Sequence, residues 1–168
     1  MSYQEKRTML TIFTSLTLFT IYATFAITTY RNQINITNDL SYWTRLILIF
    51  IGIGIVAAIL LQILFHIGYS ILVAIKEKAA NPDIDDKDIE RMIKSQMVTD
   101  EMDKLVELKS MRIGFISAGI GFMFALIAIL LNYSPVIMIN IIFISFHLGS
   151  IFEGVTQLYY YKRGIKHG

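Results

Sequence analysis

The chain alternates long apolar runs with short polar ones. No charged residue occurs from Thr8 to Tyr30, from Leu46 to Ile75, or from Ile113 to Phe152. A bilayer core takes about 20 apolar residues per helix, so the first two runs make one span each. The third is too long for one span and holds "NYSP", Asn132 to Pro135, near its middle. Ser134 suits a helix N-cap and Pro135 the first helical turn, which predicts a tight reversal between two spans. The pattern predicts spans at about 9–30, 46–75, 113–131 and 135–159 in a single integral membrane domain, 1–168. The expected fold is all-α, a four-transmembrane-helix bundle of two hairpins. A cytosolic helical extension, about 81–112, is expected between spans two and three. The first run follows Lys6 and Arg7 but exceeds a signal-peptide core and lacks an A-x-A site, so it is read as a retained span.

The extension divides into two helices. "NPDIDDKDIERMIKSQM" is expected to open at Asn81-Pro82, with Asp83, Asp85, Asp86 and Asp88 in its first turns and Ile89, Met92, Ile93 and Met97 on its apolar face. The acids do not make an EF-hand, because the sixth and twelfth positions from Asp83 are Asp88 and Lys94 instead of Gly and Glu. They match the helix dipole instead. "TDEMDKLVELKSMR", Thr99 to Arg112, reads as a second helix capped by Thr99. Its acids, Asp100, Glu101 and Asp103, come early and its bases, Lys109 and Arg112, come late. Asp100 and Lys104 are spaced as an i,i+4 pair. No breaker separates this helix from the third span, so one continuous helix is expected from Thr99 to Leu131. Its stripe of Met102, Leu105, Val106 and Ile113 is expected to pack on Ile89, Met92 and Ile93.

Within this segment "DEMDKLVELKS", Asp100 to Ser110, resembles the D-E-R-D-x-x-I-x-x-K-[AS] stretch of a group of small, uncharacterised bacterial multi-span membrane proteins. The closing "YYYKRG", Tyr159 to Gly164, is similar to their tails. Met102 stands for the Arg and Val106 for the Ile. The likeness covers Asp100 onward and implies a bacterial inner-membrane protein; it implies no activity.

Charge adds an orientation. The chain has 15 Lys and Arg residues. Thirteen of them fall in the termini and in the segment from Lys76 to Arg112, and two, Arg31 and Arg45, fall in the first loop. The positive-inside rule then puts both termini and the middle segment in the cytosol of a multi-pass cell-membrane protein. Tyr30, Tyr42, Trp43 and Tyr133 fall at the outer interface, and Tyr159, Tyr160 and Tyr161 at the inner one. A net charge of +2 is too small and dispersed for nucleic acid. With no cysteine there is no disulfide or thiolate metal site. Sequons at Asn35 and Asn132 carry no weight in so Ile- and Asn-rich a chain.

Polar residues at bilayer depth are the functional candidates. Gln62, His66 and Tyr69 share a face of the second span. Asn140, His147, Ser150, Glu153 and Gln157 form a stripe on the fourth. Counting inward anchors from Lys76 and Lys162 at 1.5 Å per residue puts His66 ~15 Å and Glu153 ~14 Å deep, so the two are expected to face each other. Gln62 and His147 come about one turn higher. A bis-histidine haem needs His66 and His147 at one depth; the count leaves them ~7–8 Å apart, so no cofactor is expected. The competing reading is that these groups only tie helices together, at ~0.6 kcal/mol each. Gly114, Ala118, Gly121, Ala125 and Ala128 make a small-residue stripe that admits a close helix. The threonines of the first span, Thr11 through Thr28, are expected to bond back to their own helix.

No phosphate loop, HExxH or G-x-S-x-G occurs, and Arg163 with His167 in the tail is no catalytic pair, so no enzyme is expected. The expected function is a regulator or adaptor. Its charged cytosolic helices, through Asp100, Glu101, Asp103, Lys109 and Arg112, engage a cytosolic protein. The alternative is an oligomeric channel or a proton or cation transport component built on Glu153 and His66, with Gln62 and His147 beside them. Lipid and further copies of the chain complete the expected partners.

Overall fold

The computed structural model describes residues 2–32 and 38–164, so Asn35 and His167 lie outside the described residues. It contains five helices, α1 Tyr3–Asn32, α2 Leu40–Ala80, α3 Asp86–Met97, α4 Glu101–Leu130 and α5 Pro135–Arg163. Four stretches are long and apolar enough to cross a membrane: Tyr3–Asn32, Leu40–Ala80, the α3–α4 stretch Asp86–Leu130, and Pro135–Arg163. Among the described residues there is no strand.

The helix ends follow local chemistry. Asp39 caps α2, its side chain accepting the Tyr42 N–H. Ser134 caps α5 and Pro135 fills its first turn, as the sequence predicts. The α4–α5 turn is closed by Asn132, whose φ of 60° is left-handed. The Tyr133 N–H bonds back to the Ala128 carbonyl at 3.0 Å. This six-to-one bond satisfies a carbonyl at the end of α4, and asparagine tolerates the left-handed turn better than most residues.

Two expected helix starts move. α4 is capped by Asp100, not Thr99. Asp100 accepts the Asp103 N–H at 2.6 Å while Asp103 accepts the Asp100 N–H at 3.1 Å, a reciprocal box that threonine cannot offer from one position earlier. The Asp100 carboxylate is thereby committed to the cap. Asn81-Pro82 does not open α3. Pro82 disfavours helix at the residue before it, so Asn81 becomes the C-cap of α2, and α3 starts at Asp86 behind its cap Asp85. From Glu101 to Leu130 α4 is unbroken, as expected.

Helix pairing is uneven. The α4–α5 contact is by far the most extensive, followed by α1 on the other face of α5; α2 packs lightly on α1 and α5. The small-residue stripe explains this. Gly114, Gly121, Ala125 and Ala128 are buried, and a methyl at Gly149 would stand 2.7 Å from the Gly114 carbonyl oxygen. Backbones that close leave no room for side chains between them. α5 also claims the N-terminal half of α4, where Val106 and Ser110 are fully buried. The apolar stripe of α3 therefore does not meet α4. It turns to α2, where Ile89 and Ile93 face Ala74 and Ile75. Lys78 Nζ, 2.8 Å from Asp86 Oδ1, pins the start of α3 to α2.

Candidate functional site

The α1–α5 seam carries a ladder of polar pairs. Thr8 Oγ1 donates to Gln157 Oε1 at 3.1 Å, Ser15 and Ser150 share a bond of 3.2 Å, and the Tyr22 hydroxyl donates to Asn140 Oδ1 at 2.6 Å. Thr8, Ser15 and Tyr22 are spaced by heptads, which keeps them on one seam of packed helices. Between the rungs and beyond the last of them, Thr11, Thr14, Thr20, Thr24 and Thr28 bond back to the carbonyls four residues earlier, as expected.

Toward the end of the bundle that holds Tyr3 and Arg163, the ladder ends in a polar cavity of about 150 Å³ between α1, α2, α4 and α5. Asp103, Glu107 and Glu153 line it with one cation, Arg7, and with Gln62, Gln157 and Tyr161. Arg7 Nη2 donates to Gln62 Oε1 at 3.4 Å. Gln4 reaches across to Thr99 Oγ1 at 3.1 Å. Glu153 has room because its neighbour on α4 is glycine: a methyl at Gly114 would come within 3.0 Å of the Glu153 Cβ and of a carboxylate oxygen.

The expected His66–Glu153 pair is not formed. His66 is exposed, and its Nδ1 lies 3.3 Å from the Tyr3 hydroxyl, at the first residue of α1. Glu153 lies farther up the bundle, between the rungs made by Gln157 and Ser150. The count failed at its anchor. α2 overruns its neighbours, so Lys76 does not mark the level that Lys162 marks on α5. Lys6 already sits over the Tyr69 ring, 5.1 Å from its centre, well short of Lys76. Depth counting also carries no azimuth, and the face of α2 that bears His66 turns to α1.

His147 is placed elsewhere again. Its Nδ1 is 3.1 Å from the Phe143 carbonyl, which can only accept, so that nitrogen carries the proton. The ring packs against Phe143, tilted by 52° with centres 4.4 Å apart, and lines an apolar crevice of about 320 Å³ between α1, α2 and α5. His66 and His147 are separated by most of the height of the ladder, so the structure does not bring them together. Among the described residues no three His, Cys, Asp or Glu side chains gather as a metal ion requires.

The expected partner-binding residues divide. Asp100, Glu101 and Arg112 are exposed; Asp103 is half-buried and faces the cavity; Lys109 is half-buried. On α3, Lys94 Nζ lies 2.7 Å from Glu90 and holds that carboxyl below its usual range. Sequence reasoning missed Arg7, Ser15, Tyr22, Glu107 and Tyr161. Heptad spacing of polar residues in the first span would have found Ser15. In sequence Arg7 and Tyr161 speak only to orientation and to the interfacial belt.

Chemically, the cavity offers three carboxylates for proton exchange or charge balance. Two of its hydroxyls are already engaged: Thr8 bonds Gln157, and Thr11 bonds the Arg7 carbonyl of its own helix. Comparison of the chain with protein-family models, curated proteins and solved structures returns no match.

Proposed function

We propose that the chain is a non-enzymatic, multi-pass membrane adaptor of the bacterial inner membrane. Its termini and the α3 region are cytosolic, and a helical platform at that end engages a cytosolic protein. The observation that carries this reading is the overrun of α2. His66 stands opposite Tyr3, yet α2 runs on to Ala80, ~21 Å farther at 1.5 Å per residue. α3 docks on that overrun and shows charge outward, with Asp88–Arg91 and Glu90–Lys94 pairs on its surface. Ile71, Leu72 and Ile75 of α2 and Met92 of α3 stay exposed beside those charges. Apolar anchors ringed by charge are the composition of a protein-docking surface. Glu101 at the start of α4 is an exposed charge at the same end.

A second reading rests on Glu153. A carboxylate within a span is costly, by ~2.5–3.5 kcal/mol on the lenient scale, and Glu153 borders a polar cavity that could pass protons between carboxylates. Reconstitution separates the two. Vesicles containing the protein and a trapped pH dye should hold a proton gradient as long as empty vesicles do. A photo-crosslinker at Met92 should give one discrete adduct in cells, weakened when Lys94 and Arg91 are reversed to glutamate. A gradient that collapses with the native chain but persists with Glu153→Gln selects the transport reading and overturns the adaptor.

A further inference from the structure

At the end of the bundle away from the termini, a groove of about 300 Å³ opens between α1, α2 and α5. Its walls are Ala26 and Ile27 of α1 and Ile137, Ile141 and Ile144 of α5, with Trp43 of α2 closing one side. On α5 the three isoleucines fall at i, i+4 and i+7, and on α1 Ala26 and Ile27 are followed by Tyr30 and Arg31 at i+4 and i+5, so each helix offers one face. The one polar side chain deep in the groove, Asn140, has its chemistry occupied: Oδ1 accepts from Tyr22 and Nδ2 donates to the Val136 carbonyl at 2.8 Å. The groove therefore meets its occupant with hydrocarbon and with no unpaired polar atom.

The mouth is different. Tyr30 and Arg31 line it, both exposed. Arg31 lies nine residues beyond Tyr22, ~13 Å up α1, while Asn140, level with Tyr22, is only ~8 Å from the start of α5 at Pro135. The guanidinium is thus carried past the top of the apolar walls, to headgroup level if the walls lie in hydrocarbon. Among the described residues Arg31 has no ion pair. The one acid of the neighbourhood, Asp39, spends its carboxylate on the α2 cap. Between Ala26 and Leu60 the chain has Arg31, Arg45 and Asp39 as its charges, two positive less one negative, a net +1.

We propose that this groove binds one acyl chain of an anionic phospholipid, with the lipid phosphate on Arg31. Arginine suits a phosphate because its planar fork donates two parallel hydrogen bonds. Aromatic rings such as Trp43 and Tyr30 belong at headgroup level, where one edge is wet and the other apolar. A lipid is favoured over a second protein chain because the groove is hydrocarbon-walled with one cation at its rim, Arg31, that has no ion pair among the described residues. The site rests on the four apolar helices lying in a bilayer; it does not depend on which face of the membrane Arg31 reaches.

Trp43 is the sole tryptophan of the chain and is only 2% exposed, so it reports on this groove alone. The full-length protein is reconstituted in phosphatidylcholine vesicles holding a minor fraction of either brominated phosphatidylglycerol or brominated phosphatidylcholine. At equal bromine content the anionic lipid should quench Trp43 fluorescence at least about twofold more strongly. Arg31→Gln should abolish that preference, while Arg31→Lys keeps part of it; unchanged helix content checks that both variants fold. Equal quenching by the two lipids in the native chain, or an undiminished preference in Arg31→Gln, overturns the proposal. Relief of quenching by millimolar inorganic phosphate overturns the lipid as occupant, and absence of quenching by either lipid overturns the groove and the bilayer embedding together.

Discussion

Gly121→Ala should destabilise the protein by roughly 1–3 kcal/mol, and Ser145→Gly in the same chain should restore most of the loss. A methyl at Gly121 would run into both the Cβ and the Oγ of Ser145 on α5. Gly149→Ala should cost as much without an equivalent rescue, because its methyl meets the Gly114 carbonyl oxygen at 2.7 Å, and backbone cannot step aside. α4 and α5 would have to separate along their length and lose the dispersion contacts that close approach provides. Gly119 is the control on the same helix. A methyl there meets nothing within 4 Å, so Gly119→Ala should be neutral or stabilising by up to ~1 kcal/mol through helix propensity. Thermal unfolding of the four variants in one detergent checks the set. Equal losses at Gly119 and Gly121 would show that tight α4–α5 packing is not what the glycines serve.

The second large effect is expected at Tyr22. Its side chain is fully buried where α1, α2 and α5 meet. Its ring lies edge-on to Phe50 of α2 with centres 5.1 Å apart and against Phe143 of α5 at 4.4 Å. Tyr22→Ala removes an aromatic from a packed junction and should cost about 3–5 kcal/mol. Tyr22→Phe keeps the ring and loses only the bond to Asn140, so it should cost about 0.6 kcal/mol. Because α2 has few other ties to the bundle, the alanine variant should also loosen α2 first. Hydrogen exchange along Phe50 to Ala58 should rise more than along α4. A Tyr22→Phe loss as large as that of Tyr22→Ala would show that the hydroxyl, not the ring, holds the junction.

Much of the architecture was legible in the sequence because hydropathy and cap chemistry are local. The apolar runs marked the helices that can span a membrane, Ser134-Pro135 marked the start of α5, and the glycine-alanine stripe marked the close-packed face of α4. The helix starts that moved did so within local rules. Asp100 outcompeted Thr99 through a reciprocal box, and Pro82 acted as the stop of α2 before it could act as a start of α3. The site was less legible, since it depends on rotation and relative height. His66 and Glu153 share an apparent depth only if Lys76 and Lys162 mark one level, and α2 carries Lys76 well past the start of α1. The face that α4 gives to α5, not the stripe it shares in sequence with α3, decided where α3 packs. Arg7 showed its role only once α1 and α2 were laid side by side.

The central claim is that α3 and the overrun of α2 form a cytosolic platform on a membrane anchor. The chain has no cysteine, so single cysteines report position without background. Asn38→Cys precedes α2 and Asn81→Cys lies between α2 and α3, both exposed. With a membrane-impermeant thiol reagent, the account predicts labelling of Asn38→Cys in intact cells and labelling of Asn81→Cys only after the membrane is opened. Labelling of Asn81→Cys in intact cells with Asn38→Cys protected would contradict it.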